Sequence, residues 1–159
     1  MGAKRWALIV AVVAVTALPA IALAAVTKPA AGKWKVTVSG PLTNPKGSFK
    51  VTSDREHIKS FTVPLLSSEG GGGTCPTGTL TVPATLELKN HHGFWAYGNT
   101  TPGGGATERN VSAKLNGAPL ANVRLLIILN EQARNTGYGY ILIGKPGTPG
   151  CYYDLSLKH

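Results

Sequence analysis

Lys33-Trp34-Lys35-Val36-Thr37-Val38 places apolar side chains at every second position, with Lys33, Lys35 and Thr37 between them. Successive side chains of a strand point to opposite faces, so this spacing predicts a strand over 33–39 with one buried and one wet face. The same period recurs outward along the chain. Phe49 and Val51 alternate with Lys50 and Thr52 in a second strand over 47–52. After the turn Ser53-Asp54-Arg55-Glu56, Ile58, Phe61 and Val63 mark a third over 57–64. The period slips between Ile58 and Phe61, which predicts a β-bulge there.

Leu80, Val82, Ala84, Leu86 and Leu88 share one parity and predict a fourth strand over 79–89. Pro83, on the other parity, calls for an edge position or a distorted pairing because it has no N–H to donate. Asn90-His91-His92-Gly93 reads as a turn, Phe94 to Tyr97 as a fifth strand, and 99–106 as a Gly/Pro/Thr loop. Val111, Ala113 and Leu115 make a sixth, closed by Asn116-Gly117. Val123 to Leu129 is apolar on both parities, the pattern of a central strand covered on both faces. Strands over 137–143 and 151–157 complete the series.

The links are short or rich in turn residues, and none reads as a crossover helix, so neighbouring strands pair antiparallel. The expectation is an all-β antiparallel meander of about 8–9 strands, forming a β-sandwich or a flattened up-and-down barrel. Residues 33–159 form one such domain, 25–32 a flexible lead, and 1–24 a helical signal peptide.

The N-terminal reading rests on three features in order. Lys4 and Arg5 supply positive charge, Trp6 to Leu18 an apolar run, and Pro19 with Ala22-Leu23-Ala24 a helix break and a small-x-small site. Cleavage is expected between Ala24 and Ala25, giving a secreted, extracellular protein with no remaining membrane span. The alternative is tethering by an uncleaved segment, since Trp6 to Val26 carries no charge.

Cys75 and Cys151 are the only two cysteines. In an oxidising compartment they read as one disulfide. Closing a loop of about 76 residues would stabilise the fold by roughly 4–5 kcal/mol on the chain-entropy account. Neither has a Cys or His at metal-ligand spacing.

Gly32-Lys33-Trp34-Lys35, then Ser48-Phe49-Lys50-Val51-Thr52 with Ile58-Lys59-Ser60-Phe61-Thr62-Val63, then Gly147-Thr148-Pro149-Gly150-Cys151 before the last strand, together resemble a group of small secreted all-β proteins of high-GC, actinobacterial-type bacteria. The resemblance covers most of the exported part. It implies export, an all-β fold and a disulfide, and it brings no activity with it. Val123 to Leu129 departs from it in being more apolar. Gly32-x-Trp34 is also similar to the first strand of lipocalin- and avidin-like barrels, which would imply a small-molecule cavity.

Removing Lys4 and Arg5 from the 16 basic residues leaves 14 against 7 acidic ones. That balance suits an anionic envelope polymer, a glycan or an envelope protein. The basic residues occur singly, however, which reads as a solvated surface and argues against nucleic acid.

Catalytic motifs are missing: the chain has no H-E-x-x-H, G-x-S-x-G or Walker lysine motif. Gly70 to Gly73 has no following Lys for a phosphate and reads as a loop. Asp54, Glu56 and His57 read as a hairpin turn. No catalytic residue, metal ligand or cofactor is assigned. Trp95 and Tyr152, each opposite in parity to an aromatic neighbour, and His91 with His92 are the candidate binding surface. The expected function is that of a non-enzymatic, monomeric interaction domain outside the cell. A small-molecule-binding barrel and an enzyme of unrecognised type are the alternatives.

Overall fold

The alternating segments pair as strands in the computed structural model, which describes residues 27–39, 46–66, 75–91, 93–130, 135–145 and 147–159. The expected signal peptide, its cleavage residues Ala22, Ala24 and Ala25, the Gly70–Gly73 loop and His92 lie outside the described residues.

In chain order the strands are β1 (Gly32–Val38), β2 (Lys46–Val51), β3 (His57–Leu65), β4 (Gly78–Val82), β5 (Leu86–Glu87), β6 (Lys89–His91), β7 (Phe94–Tyr97), β8 (Asn99–Thr100), β9 (Ala106–Thr107), β10 (Arg109–Asn110), β11 (Ala113–Leu115), β12 (Ala118–Leu120), β13 (Val123–Asn130), β14 (Thr136–Ile143) and β15 (Cys151–Lys158). The fold is all-β, and every pairing is antiparallel. Thirteen strands form one curled sheet, and β8 and β9 form a separate hairpin. No helix among the described residues is long and apolar enough to cross a membrane.

The sheet joins two meanders, β1-β2-β3-β4 and β13-β14-β15, through pairing of the first strand with the last. Lys35 stands opposite Lys158 and Val36 opposite Leu157 in that seam. The stretch 109–115 ties the two arms together. Its first part, β10, pairs with β13 and its second, β11, with β4, while Val111 N donates to Val123 O at 3.0 Å. Of the two geometries that the strand pattern allows, the curled single sheet lies closer to the flattened barrel.

Inward-pointing residues of both arms build one core. Trp34 stacks on Phe49 with ring centroids 5.8 Å apart, and Phe49 on Phe61 at 6.1 Å, so three rings span β1, β2 and β3. Burying side chains of this size contributes about 1.5–3 kcal/mol each. Leu80, Leu125, Ile127, Ile141 and Leu157 fill the space around them.

The expected bulge is present. Ser48 opposes Thr62 while Lys50 opposes Lys59, so Phe49 faces two residues, and Ser60 takes φ 57° to accommodate the extra one. β13 is covered on both faces: Leu125, Ile127 and Leu129 enter the main core, and Leu126 and Ile128 form a second small cluster with Ala96.

Three local readings are corrected. The fourth expected strand is broken at Pro83-Ala84-Thr85 and again at Leu88, into β4, β5 and the start of β6, and Ala84 is exposed. Pro83 has no N–H for a ladder bond, so the pairing lapses there. Asn116-Gly117 is the two-residue turn of a hairpin, with φ 50° and 87°, and it leads into β12, where a strand was not expected. Part of the 99–106 loop is the β8–β9 hairpin.

Residues 27–31, the end of the expected flexible lead, lie against the domain. Lys28 pairs with Glu56, Ala30 O accepts from Trp34 Nε1 at 2.9 Å, and Ala31 O lies 2.9 Å from His159 Nε2.

Candidate functional site

Cys75 and Cys151 form a disulfide, with Cα atoms 5.5 Å apart. It joins the segment entering β4 to the first residue of β15. Tyr153 Oη donates to Pro76 O at 2.8 Å beside it. The bond is buried on the Cys75 side and staples the fold.

The expected binding surface is not assembled. Trp95 is only 8% exposed and belongs to the main core with Tyr97, whereas Tyr152 is 46% exposed on the outer face of β15. Parity separates Trp95 from Phe94 and Ala96, but it does not tell which set faces inward. Here the larger set, Trp95 and Tyr97, fills the core. Lys28 Nζ lies 5.7 Å from the Trp95 ring centroid. His91 is 2% exposed and stacks on Phe94, with centroids 5.3 Å apart and planes 6° from parallel. Among the described residues, neither of its ring nitrogens has a hydrogen-bond partner. His91 is therefore a buried packing residue rather than part of an exposed turn.

His57 meets a carboxylate, its Nδ1 lying 3.1 Å from Asp54 Oδ2. Asp54 also accepts from Thr52 Oγ1 and from Glu56 N. These bonds, led by that from Thr52, hold the Asp54 carboxyl down at about 2. The Thr52 hydroxyl is directed to Asp54 and to the His57 backbone rather than to the imidazole. The cluster closes the β2–β3 turn. Among the described residues no group of three or more His, Cys, Asp or Glu side chains is placed to hold a metal.

Strand register gathers charge that is scattered along the chain. Lys33 stands opposite Lys50, and Lys50 opposite Lys59, making one row across β1, β2 and β3. A second row runs Lys158, Lys35, Ser48, Thr62, Thr81 and Lys114 across β15, β1, β2, β3, β4 and β11. Lys46 stands opposite Thr37. All seven lysines are exposed on this outer face.

An open groove of about 470 Å³ runs along the second row, lined by Lys33, Lys35, Lys46, Ser48, Thr62 and Thr79 among others. Gly47 lets β2 lie close to β3 under it: a Cβ there would come 2.3 Å from Thr62 O.

Among the described residues, no carboxylate forms an ion pair with these seven lysines. The described acidic residues are engaged elsewhere. Asp54 binds His57, Glu56 binds Lys28, Glu87 lies 4.0 Å from Lys89, and Glu108 binds Arg124 at 2.9 Å. Asp154 hydrogen-bonds Tyr152.

Further along the same outer face, Tyr140 stacks on Tyr152 with centroids 5.0 Å apart. Tyr140 Oη donates to Glu108 Oε2 at 2.6 Å. Burial, with this bond to a carboxylate, pushes the Tyr140 phenol up to about 12. In turn the Tyr140 hydrogen bond, assisted by Arg124, holds the Glu108 carboxyl below its ordinary value. Burial and the neighbouring Asp154 carboxylate raise Tyr152.

Sequence reading missed both the lysine rows and the Tyr140–Glu108–Arg124 cluster. The available signal was lysine on the polar parity of Lys33-Trp34-Lys35 and of Ser48-Phe49-Lys50, which becomes a row only once register is known. Comparison with protein-family models, curated proteins and solved structures finds no match to this chain, so its functional reading rests on its own residues.

Proposed function

We propose that the protein is a non-enzymatic interaction domain that works outside the cytoplasm and binds an anionic polymer of the cell envelope through its lysine face. The observation that carries this reading is the row Lys33, Lys50 and Lys59, three like charges set directly opposite one another with no paired carboxylate among the described residues. Like charges opposed across a ladder destabilise a sheet. A polyanion laid across the strands removes that repulsion and releases its own counterions.

The signal-peptide features of residues 1–24 support the extracellular setting, and the disulfide is of the kind that persists there. The buried rings of Trp34, Phe49 and Phe61 occupy the interior, which supports a packed core over a ligand-holding barrel.

The test is retention of the purified protein on immobilised polygalacturonate and on immobilised polyphosphate. Retention at low salt that is released as salt rises supports the reading; passage through both columns at low salt overturns it.

A further inference from the structure

Tyr138 and Tyr152 are 57% and 46% exposed, the two exposed aromatic side chains among the described residues. Both lie on the outer face, and neither position is explained by the core. Tyr140 stands between them, fixed by its stack on Tyr152 and by its hydrogen bond to Glu108. Arg124 Nη1 holds Glu108 from the other side at 2.9 Å. The result is an aromatic ledge with a rigid polar rim.

This ledge is continuous with the lysine face. Tyr138 stands opposite Ser156, Ser156 opposite Thr37, and Thr37 opposite Lys46, one row across β14, β15, β1 and β2. The adjacent row carries Lys158 and Lys35. Strands lie about 4.8 Å apart, so three spacings put the Tyr138 and Lys46 backbones roughly 14 Å from each other. A chain molecule crossing the strands would meet rings first and ammonium groups next.

We infer that Tyr138, Tyr140 and Tyr152 form a sugar-stacking subsite, and that the polymer bound by the lysine face is an acidic polysaccharide. Its pyranose rings lie on the tyrosines and its carboxylates meet Lys46, Lys35 and Lys158. The inference rests on the lysine-face reading above and adds the chemical class of the ligand. Tyrosine suits this task because it offers an apolar ring face and a polar edge at low entropic cost.

The carboxylates of Glu108 and Asp154 at the ledge favour a hydroxyl-bearing ligand. They accept hydrogen bonds from sugar hydroxyls, which a stacked thymine base does not offer.

The experiment titrates three proteins with polygalacturonate, with polyphosphate and with an oligothymidylate. The proteins are the wild type, the double variant Tyr138→Ala/Tyr152→Ala, and the double variant Lys35→Gln/Lys46→Gln. Far-ultraviolet circular dichroism and a thiol assay confirm that each variant keeps its fold and its disulfide. The expected result is a loss of about tenfold in polygalacturonate affinity for the tyrosine variant, with polyphosphate binding unchanged. The lysine variant loses affinity for both. Unchanged polygalacturonate binding by the tyrosine variant overturns the stacking subsite and leaves the lysine reading standing. Tighter binding of oligothymidylate than of polygalacturonate by the wild type overturns the polysaccharide class. No binding of any of the three overturns both readings.

Discussion

Lys33 on β1 and Lys50 on β2 stand directly opposite each other across the ladder, exposed, and neither forms an ion pair with a carboxylate among the described residues. Lys59 on β3 extends the row on the far side of Lys50. Lys50 is thus the centre of the repulsion and the position where relief would be greatest. Replacing Lys50 with Thr removes that charge and introduces a residue of higher strand preference. The variant is expected to be more stable by about 0.2–1 kcal/mol at low salt, with the gain shrinking as screening increases. Urea denaturation at two salt concentrations checks this. A stabilising change that also weakens polyanion binding would mark the lysine row as functional.

The disulfide holds the start of β15 against the segment that enters β4, where Tyr153 also bonds Pro76. It closes a loop of 76 residues. The double variant Cys75→Ser/Cys151→Ser should lose about 3–5 kcal/mol of stability, measured by chemical denaturation. Its strand content at low temperature should persist, because the core rings Trp34, Phe49 and Phe61 lie on other strands.

Tyr140 and Glu108 make stability depend on pH at both ends of the scale. The raised Tyr140 value means that its contribution is complete below about 10 and is lost as pH rises toward about 12. The lowered Glu108 value means that its contribution is present above the ordinary carboxylate range and is lost as pH falls through the lowered folded value. Tyr140→Phe should reduce the alkaline component, which Tyr97 and Tyr152 share, and Glu108→Gln the acid one, which Asp54 shares. Denaturation midpoints across pH read the stability. Tyr97 and Tyr152 are also raised by burial, so absorbance at the phenolate band should show several late tyrosines in the wild type, with the latest of them lost in Tyr140→Phe.

His91 buries two ring nitrogens against the face of Phe94, without a hydrogen-bond partner among the described residues. An unsatisfied buried polar group costs about 1–3 kcal/mol. His91→Phe keeps a flat ring in a similar volume and removes the polar atoms, so the variant should melt at a higher temperature than the wild type. Scanning calorimetry decides it, and an unchanged or lower melting temperature would contradict the packing role.

Much of the fold was legible because most of its long strands carry alternating apolar positions. β1, β2, β3, β14 and β15 follow the parity of Trp34-Val36-Val38, Phe49-Val51, Phe61-Val63, Ile141-Ile143 and Tyr153-Leu155-Leu157. The Ser60 bulge showed as a slipped period, and the two-sided burial of β13 as its unbroken apolar run.

Order in the sheet beyond the two meanders β1–β4 and β13–β15 was not legible. Nothing local to Lys35 or Lys158 states that the first and last strands pair, since that neighbourhood is a property of the closed-up chain. The same reason hid the candidate site. Single lysines separated by 9 to 17 residues, such as Lys33, Lys50 and Lys59, read as a solvated surface until register set them in one row. Trp95 failed for a simpler reason: alternation separates the two faces of β7 but does not name the inner one.

The most direct test of the lysine face is a calorimetric titration of polygalacturonate with the wild type and with the triple variant Lys33→Gln/Lys35→Gln/Lys50→Gln, repeated from roughly 50 to 200 mM salt. The lysine-face account predicts that wild-type affinity falls steeply with salt, and that the triple variant binds at least about tenfold more weakly with a shallower salt slope. Equal affinity and equal slope for the two proteins would contradict it.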